Sequence, residues 1–252
     1  LAIMHNEGKV GKGAKFLAQT DKIGKLGTAT AFVANPVNKI KPLRVMMEKT
    51  TGISKERLLP SFAKVRFSKW FKKNEQLIET PVDSVVLFPT CLVEYQDPAI
   101  GKATVQVCEH NKVACELPPG QVCCGMPYLD AGDIEKFKQH AQTNIAALGP
   151  AVKEGKKVLV PQPTCAYVLR KEYPDFIGTD DAKLVADATR DASEYFIELQ
   201  KDGKLNTAFN GKTYETITWH AACHYRAQQI GPKSKELMAL TGAKVDMVER
   251  CS

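Results

Sequence analysis

The sequence contains no uninterrupted apolar run of about 18 residues, the length at which a helix can begin to span a bilayer. It has no Gly-rich loop of the kind that holds nucleotide phosphates, and no pair of residues that resembles the acid and base of a substrate site. Aromatic residues make up 8% of the chain and are not interleaved with the basic residues, as a stacking platform for nucleic acid requires. We therefore expect no membrane-spanning helix and no nucleic-acid partner.

The remaining composition is that of an ordinary soluble globular protein. The 252 residues are 44% hydrophobic and 25% charged, enough for one large domain or two smaller ones. Eight cysteines stand at wide, irregular spacing, unlike the frame of a small disulfide-stapled domain. This cysteine usage predicts a reducing, cytoplasmic location.

Charge is unevenly distributed along the chain. Residues 1–75 carry 16 Lys and Arg against 5 Asp and Glu, a net charge of +11, and the remaining residues carry −4. A basic arm on a slightly acidic body indicates an anionic partner, such as a membrane surface or an acidic protein face. The alternative is a solvated linker.

Part of this arm is amphipathic. Five apolar residues form a stripe at roughly helical spacing: Phe16, Ile23, Leu26, Phe32 and Val33. Such a stripe either lies on a membrane or a partner, or packs on its own protein. Farther along, we expect Phe62, Phe67, Trp70 and Phe71 to anchor the connector to the body.

From residue 84 onward, apolar runs alternate with helical patterns. Strands are predicted at 84–89, 113–117 and 157–160, with helices at 100–111 and 133–155 between them. Strand–helix–strand alternation predicts right-handed crossovers and a parallel sheet. A helix is then predicted from residue 180 to about 200, and the pattern begins again with a strand at 216–219, a helix at 233–241 and a strand at 243–248.

The predicted fold is therefore α/β, with two tandem Rossmann-like modules built on short parallel sheets and preceded by a basic helical arm. We place the arm and connector at residues 1–80, the first module at 81–180, and a helix with an incomplete second module at 181–252. Because the chain starts at Leu1 and stops at Ser252 directly after a strand, we expect it to be part of a longer polypeptide.

Four cysteines closely follow the predicted strands: Cys91, Cys123, Cys124 and Cys165. In parallel sheets, sites form outside the carboxyl ends of the strands, and thiolates are soft ligands for iron–sulfur clusters or zinc. Adjacent cysteines pair only in a strained disulfide, so the vicinal pair is better explained as two ligands of one cluster. Cys108 and Cys115 fall inside a predicted helix and strand, where we expect small packed hydrophobes.

The second module contains a weaker candidate site. Cys223 follows its predicted strand as Cys91 does, and Cys251 follows its predicted strand as the Cys123-Cys124 pair does. With His220 or His224, they would hold a second cluster or metal. For His224, a capping or core role is equally expected.

These residues form a family pattern. Cys123-Cys124-Gly125-Met126-Pro127, Pro163-Thr164-Cys165 and His220-Ala221-Ala222-Cys223-His224 resemble the cysteine-rich CCG domains. Those domains occur in the B subunit of heterodisulfide reductase and in iron–sulfur subunits of glycolate and lactate oxidation systems. The resemblance is most specific to the C subunits of anaerobic glycerol-3-phosphate dehydrogenases, from about residue 37 to the end. A ferredoxin-like region that precedes the pattern in that family is absent here.

The resemblance implies a cluster and its ligands. In the family, five cysteines hold an unusual iron–sulfur cluster, and the last two form a CxxC pair. Gln162 stands at the first position of that pair, which leaves Cys91, Cys123, Cys124 and Cys165 for a cluster of 4Fe-4S type. In the second module Arg250 replaces the first of the paired cysteines.

The implied function is electron transfer within a respiratory oxidoreductase. The subunit would carry electrons from a flavoprotein dehydrogenase subunit toward quinone or a membrane subunit, on the inner face of the cell membrane, and substrate chemistry would take place in another subunit. Two alternatives remain open: a heterodisulfide reductase-like thiol–disulfide enzyme, and a structural zinc protein that uses the same four cysteines.

Overall fold

Six short strands form two parallel sheets in a computed structural model that describes residues 1–209, 211 and 214–248. The chain divides into two compact units. The first unit comprises Leu1–Glu75, Pro89–Ala103 and Pro119–Ala147. The second unit comprises Gln76–Phe88, Thr104–Pro118 and the chain from Leu148 onward. The predicted domain limits at residues 80 and 180 stay a prediction.

The larger sheet belongs to the second unit. It consists of β1 (Asp83–Leu87), β2 (Val113–Glu116), β3 (Lys157–Val160) and β4 (Thr189–Asp191), in the spatial order β2-β1-β3-β4. All three pairings are parallel. The Val and Leu residues of the central strands β1 and β3 are fully or almost fully buried, as expected for a parallel sheet covered on both faces. The predicted α/β class and parallel sheet are confirmed.

Helices make up most of the remaining chain. One π-helical turn, Val168–Glu172, separates two of them. In chain order the helices are α1 (Ala2–Asn6), α2 (Lys12–Ala18), α3 (Thr20–Ala29), α4 (Ala31–Val37), α5 (Lys41–Thr51), α6 (Phe67–Asn74), α7 (Thr90–Tyr95), α8 (Pro98–His110), α9 (Met126–Asp130), α10 (Ile134–Lys153), α11 (Pro163–Tyr167), α12 (Tyr173–Ile177), α13 (Asp180–Ala188), α14 (Ala192–Lys201), α15 (Cys223–Ala227) and α16 (Lys233–Ala239). Among the described helices, none combines the length and apolarity needed to cross a membrane.

The smaller sheet repeats the connection of the first two strands. β5 (Thr216–His220) pairs in parallel with β6 (Lys244–Val248), as β1 pairs with β2. In both cases a short helix with a cysteine in its first turn, α7 or α15, directly follows the first strand, and a further helix precedes the second strand. The element order of the predicted repeat is therefore present.

The predicted helix from residue 180 to about 200 is wrong in its middle. It is two helices, α13 and α14, separated by the three-residue strand β4. β4 pairs in parallel with β3, and the Asp191 side chain ends the strand by accepting the Ser193 N–H at 2.9 Å as the N-cap of α14. A three-residue strand is too short to produce a periodic signal of its own.

The basic arm buries its small residues and exposes its large apolar ones, which is the reverse of an ordinary amphipathic helix. Its large apolar residues face solvent: Phe16, Leu26, Phe32 and Val33 are 41%, 68%, 81% and 49% exposed. The buried side is a line of small residues broken by one acid: Ala18, Asp21, Gly24, Gly27 and Ala31.

Close approach explains why this line contains glycines. A Cβ at Gly24 would collide with the Tyr95 ring of α7, and one at Gly27 would collide with the Phe62 ring. The arm therefore folds against the first unit through its glycines and leaves most of the apolar stripe uncovered. Phe67 and Phe71 are buried anchors as predicted.

Candidate metal centre

Cys91 sits at the start of α7, behind a strained residue. Thr90, which precedes it, is buried and has a φ of 63°, a left-handed conformation that is rare for a β-branched residue. Its hydroxyl accepts the Val93 N–H at 3.3 Å, which offsets part of the strain by capping the first turn. Backbone strain of this kind costs about 1–3 kcal/mol and persists only where the surroundings fix it. The turn therefore holds Cys91 in one orientation.

The vicinal pair lies in a loop that ends in a required glycine. Gly125, the N-cap of α9, has a φ of 93°, and a Cβ there would come within 2.7 Å of the Phe137 side chain. Any other residue would suffer both backbone strain and this collision. Cys123 and Cys124 are therefore presented by a backbone turn that only glycine makes without cost.

Two polar side chains of helix α10 form hydrogen bonds with the backbone of this loop. Asn144, which is fully buried, accepts the Val122 N–H at 2.8 Å and donates to the Cys123 carbonyl at 3.1 Å. His140 donates from Nδ1 to the same carbonyl, also at 3.1 Å, and its ring packs on Tyr128 at 4.8 Å. Three hydrogen bonds thus hold the backbone of Val122 and Cys123, and two of them reach the Cys123 carbonyl.

The three thiols of the first unit meet. The thiols of Cys124 and Cys91 donate to the Cys123 sulfur, and this lowers the pKa of Cys123. Burial acts in the opposite direction, while the Gly125 N–H and the His140 imidazole help to lower the pKa further. The arrangement therefore favours a thiolate at Cys123, and a thiolate is the form that ligates metal.

Two buried tyrosines of the first unit, Tyr128 and Tyr95, lie near these thiols. Burial is the main cause that raises the pKa of Tyr128, to about 12, and Asp21 and Cys123 add to it. Burial, followed by the nearby Cys91, also raises the pKa of Tyr95. Both phenols therefore stay neutral beside the thiols. The buried Oδ1 of Asp21 has no hydrogen-bond partner.

Cys165 belongs to the second unit. It is buried in α11, directly after β3, and its thiol donates to the Gln162 Oε1 at 3.5 Å. Gln162, the residue expected to stand in place of a family cysteine, therefore points its side chain at the sulfur of the predicted fourth ligand. The assignment of Cys165 to the same site as the other three thiols stays a prediction.

The second candidate site is only partly described. Cys223 is exposed at the start of α15, and Cys251 lies outside the described residues, as does Arg250. His224 bonds through Nδ1 to the Thr164 hydroxyl at 3.2 Å and stacks on Tyr167 at 4.9 Å. This geometry gives His224 a packing role, and ligation by Cys223 and Cys251 stays a prediction.

Cys108 and Cys115 contact each other elsewhere in the second unit. The Cys108 thiol forms a hydrogen bond with the Cys115 thiol, and this contact, together with burial, raises the pKa of Cys115. A raised pKa keeps a thiol neutral and poorly reactive, in keeping with a packing role. No disulfide links the seven described cysteines.

The three thiols of the first unit fit an iron–sulfur cluster as a donor set. They are clustered, reduced and largely buried, and one is poised as a thiolate. Within the described part of the chain, no group of three or more His, Cys, Asp or Glu is spaced to hold a single metal ion.

The sequence patterns missed the clamp on the Cys123 backbone. One signal was present: Asn144 stands on the same face of α10 as Phe137, Ala141 and Leu148, and a polar residue on an apolar face calls for a partner. The strain at Thr90 has no sequence signal.

Residues 85–170 match the family model described as the cysteine-rich domain CCG. This part of the chain is similar to the CCG cysteine-rich domains. The matched region contains Cys91, Cys123, Cys124 and Cys165 as well as the Asn144 clamp, whereas Cys223 lies beyond it. The resemblance predicted from the motifs is confirmed.

The chain is also similar to curated proteins. It is 28% identical over 215 residues to the C subunit of anaerobic glycerol-3-phosphate dehydrogenase from Escherichia coli (strain K12), covering 82% of this chain and 52% of that protein. It is 30% identical over 165 residues to lactate utilization protein A of Bacillus cytotoxicus, covering 64% of this chain and 65% of that protein. The chain thus spans about half the length of the first relative and less than two thirds of the second. No solved structure gives a significant match.

Proposed function

We propose that the chain is an iron–sulfur electron-transfer subunit of a respiratory oxidoreductase. The observation that carries this proposal is the trio of Cys91, Cys123 and Cys124, whose thiols meet in the first unit with Cys123 poised as a thiolate. A cluster bound there would supply one-electron redox chemistry at a potential set by its ligands, by hydrogen bonds to sulfur and by solvent exposure.

Cys165 is the proposed fourth ligand. Cys91 and Cys165 follow β1 and β3, which are adjacent parallel strands of one sheet. Sites on parallel sheets form beyond the carboxyl ends of neighbouring strands, which supports this assignment. With four thiolates and Gln162 in place of a fifth, we propose a cluster of 4Fe-4S type, because a carboxamide oxygen is a hard ligand in a site that prefers sulfur.

The protein residues around the thiols have separate tasks in this proposal. Thr90 fixes the turn that presents Cys91, and Asn144 and His140 immobilise the carbonyl of Cys123. Tyr95 and Tyr128 are buried, neutral phenols close enough to Cys91 and Cys123 to interact with them electrostatically, so they add no charge beside the thiols. These contacts hold the ligands in place before metal arrives, so less ordering entropy is lost on binding.

The partners follow from the relatives. One relative is named as a subunit of a glycerol-3-phosphate dehydrogenase and another as a lactate utilization protein. We propose that this chain receives electrons from a flavoprotein dehydrogenase subunit and passes them toward quinone or a membrane subunit. Oxidation of the organic substrate would then take place on the partner.

The outward-facing arm supports peripheral attachment to the cytoplasmic face of the membrane. Phe16, Leu26, Phe32 and Val33 are exposed on a segment with a net charge of +11, a combination that suits an anionic lipid surface. The same face would also suit an acidic membrane subunit, and vesicle binding distinguishes the two.

Metal analysis of anaerobically purified protein tests the proposal. A brown protein that contains iron and sulfide supports it, whereas a colourless protein with stoichiometric zinc would establish the structural zinc alternative. Cleavage of an added disulfide by the reduced, iron-loaded protein would instead favour the heterodisulfide reductase-like alternative. The electron-transfer proposal expects no such cleavage.

A further inference from the structure

A cleft of about 360 Å³ opens in the second unit, and no cysteine is among the residues that line it. It lies beyond the carboxyl ends of β3, β4 and β5, where the turns that follow each strand contribute to its walls. Helix α16 closes the remaining side. In parallel α/β proteins, this end of the strands is where small ligands bind.

The cleft is mostly apolar, and three aromatic rings dominate it. Phe196 comes from α14, Trp219 from β5 and Tyr225 from α15. The rings of Trp219 and Tyr225 meet edge to face at a centroid distance of 5.8 Å. Such walls offer flat, polarisable surfaces to a planar ligand, with which they stack or form edge contacts.

A chain of hydrogen bonds fixes the polar part of the cleft. The Tyr225 hydroxyl accepts the Ser234 N–H at 2.9 Å and lies 3.2 Å from the Ser193 hydroxyl. The Ser193 hydroxyl in turn donates to Asp191 Oδ1 at 2.6 Å. Asp191, Ser193 and Tyr225 are all more than nine-tenths buried, so these groups are rigid before any ligand arrives.

Charge restricts what can bind. No Lys or Arg is among the described residues that line the cleft, and its one carboxylate, Asp191, has a pKa raised chiefly by burial. An anionic ligand would find no Lys or Arg on the walls of the cleft and would meet this carboxylate, whereas a neutral ligand brings no charge that has to be desolvated. His220, at the mouth, is the lining group best able to donate to or accept from a polar substituent.

We propose that this cleft is a binding site for a small, uncharged, planar ring compound that carries a hydrogen-bonding substituent. All of its lining residues belong to the second unit and none is a cysteine; Pro161 and Pro163 flank Gln162, and His220 is shared with the second candidate metal site. Its volume lies near the lower end of the range for small-molecule pockets, about 300–1,000 Å³, which suits one or two fused rings.

Two probes that share one ring system test the proposal: 2-naphthamide, which is neutral and has hydrogen-bond donors, and 2-naphthoate, which is anionic and only accepts. Trp70→Phe leaves Trp219 as the only indole in a chain with two tryptophans, so its indole N–H resonance reports binding in this cleft alone. We expect 2-naphthamide to shift that resonance and to bind at least about tenfold more tightly than 2-naphthoate, a difference of about 1.4 kcal/mol.

A matched pair of variants locates the binding. Ser234→Phe fills the cleft while keeping the backbone N–H that holds Tyr225, and Lys235→Phe adds the same ring at the next, exposed position. Binding of 2-naphthamide should be lost in Ser234→Phe and kept in Lys235→Phe, with Met238→Phe as a second filling variant should the first unfold. Failure of 2-naphthamide to bind the parent protein, equal affinity for the two probes, or unchanged binding in the folded filling variant would overturn the proposal.

Discussion

Asn144 offers the sharpest test of how the protein holds its candidate ligands. Asn144→Leu keeps the side-chain size but removes the acceptor for Val122 N–H and one of two donors to the Cys123 carbonyl. A buried N–H left without a partner costs about 1–3 kcal/mol, and the N–H of the half-buried Val122 falls within this range, while the carbonyl retains His140. We expect the free energy of unfolding of the metal-free protein to fall by about 2 kcal/mol.

The substitution should also weaken iron binding, because the Cys123 carbonyl then keeps only one of its two hydrogen bonds, the one from His140. Iron bound per chain after anaerobic reconstitution should fall well below that of the parent protein. Thr143→Ala, one position earlier on the exposed side of α10, should leave stability unchanged within about 0.5 kcal/mol and iron content unchanged.

General destabilisation has to be separated from loss of positioning. Val105→Ala removes a fully buried side chain from α8 without touching the loop, and serves as a destabilised control. Full iron occupancy in Asn144→Leu, or an equal loss of iron in Val105→Ala, would refute the view that Asn144 positions the ligand loop.

Three further predictions concern the glycine turn, position 162 and the arm. Gly125→Ala should lower both stability and iron content, because of its φ of 93° and the collision with Phe137, whereas Gly149→Ala, in open space within α10, should be neutral or stabilise by up to about 1 kcal/mol. A neutral Gly125→Ala would contradict the turn geometry. Gln162→Cys should change the electron-resonance spectrum of the iron-loaded protein, since Gln162 Oε1 lies 3.5 Å from the Cys165 sulfur. An unchanged spectrum with unchanged iron would place residue 162 outside the ligand set. Finally, the double variant Leu26→Ser, Phe32→Ser should weaken salt-sensitive binding to anionic vesicles, while Leu58→Ser, an almost fully exposed control, should not. Equal vesicle binding by all three proteins would favour a protein partner over lipid.

The central strands β1 and β3 could be predicted because a strand buried on both faces contains a short apolar run, which is uncommon in other elements of that length. Lys157–Val160 was located to the residue, and β1 and β2 to within two residues at each end. Thr189–Asp191 was missed because its pairing with β3 is a tertiary effect, and its flanks have strong helical patterns.

The arm shows a different limit of sequence reasoning. Periodicity found the stripe from Phe16 to Val33 but could not decide which face is buried. The deciding residues are Gly24 and Gly27, which weaken a helix by propensity yet allow the Tyr95 and Phe62 rings to approach. Truncating residues 1–35 would remove this packing, so point substitutions on the exposed face are the cleaner test.

The meeting of three thiols could be predicted from the sequence, but the contacts that support them could not. Cysteines that follow predicted parallel strands indicate a shared site, and Cys91, Cys123 and Cys124 do meet in the first unit; their ligation of a metal stays a prediction. The strained φ of Thr90 depends on the folded backbone and has no sequence signal. The polar Asn144 on an apolar helix face signals that it needs partners, but only the folded structure shows that they are Val122 and Cys123.

Counting iron in two serine variants tests whether the thiols of Cys91, Cys123, Cys124 and Cys165 hold a cluster. Cys124→Ser removes a thiol that donates to the Cys123 sulfur. Cys108→Ser changes a buried thiol that is hydrogen-bonded to Cys115 and is not a proposed ligand. After anaerobic reconstitution, Cys124→Ser should lose most of its iron and its brown colour, and Cys108→Ser should keep both. Equal iron in the two variants would contradict the ligand assignment.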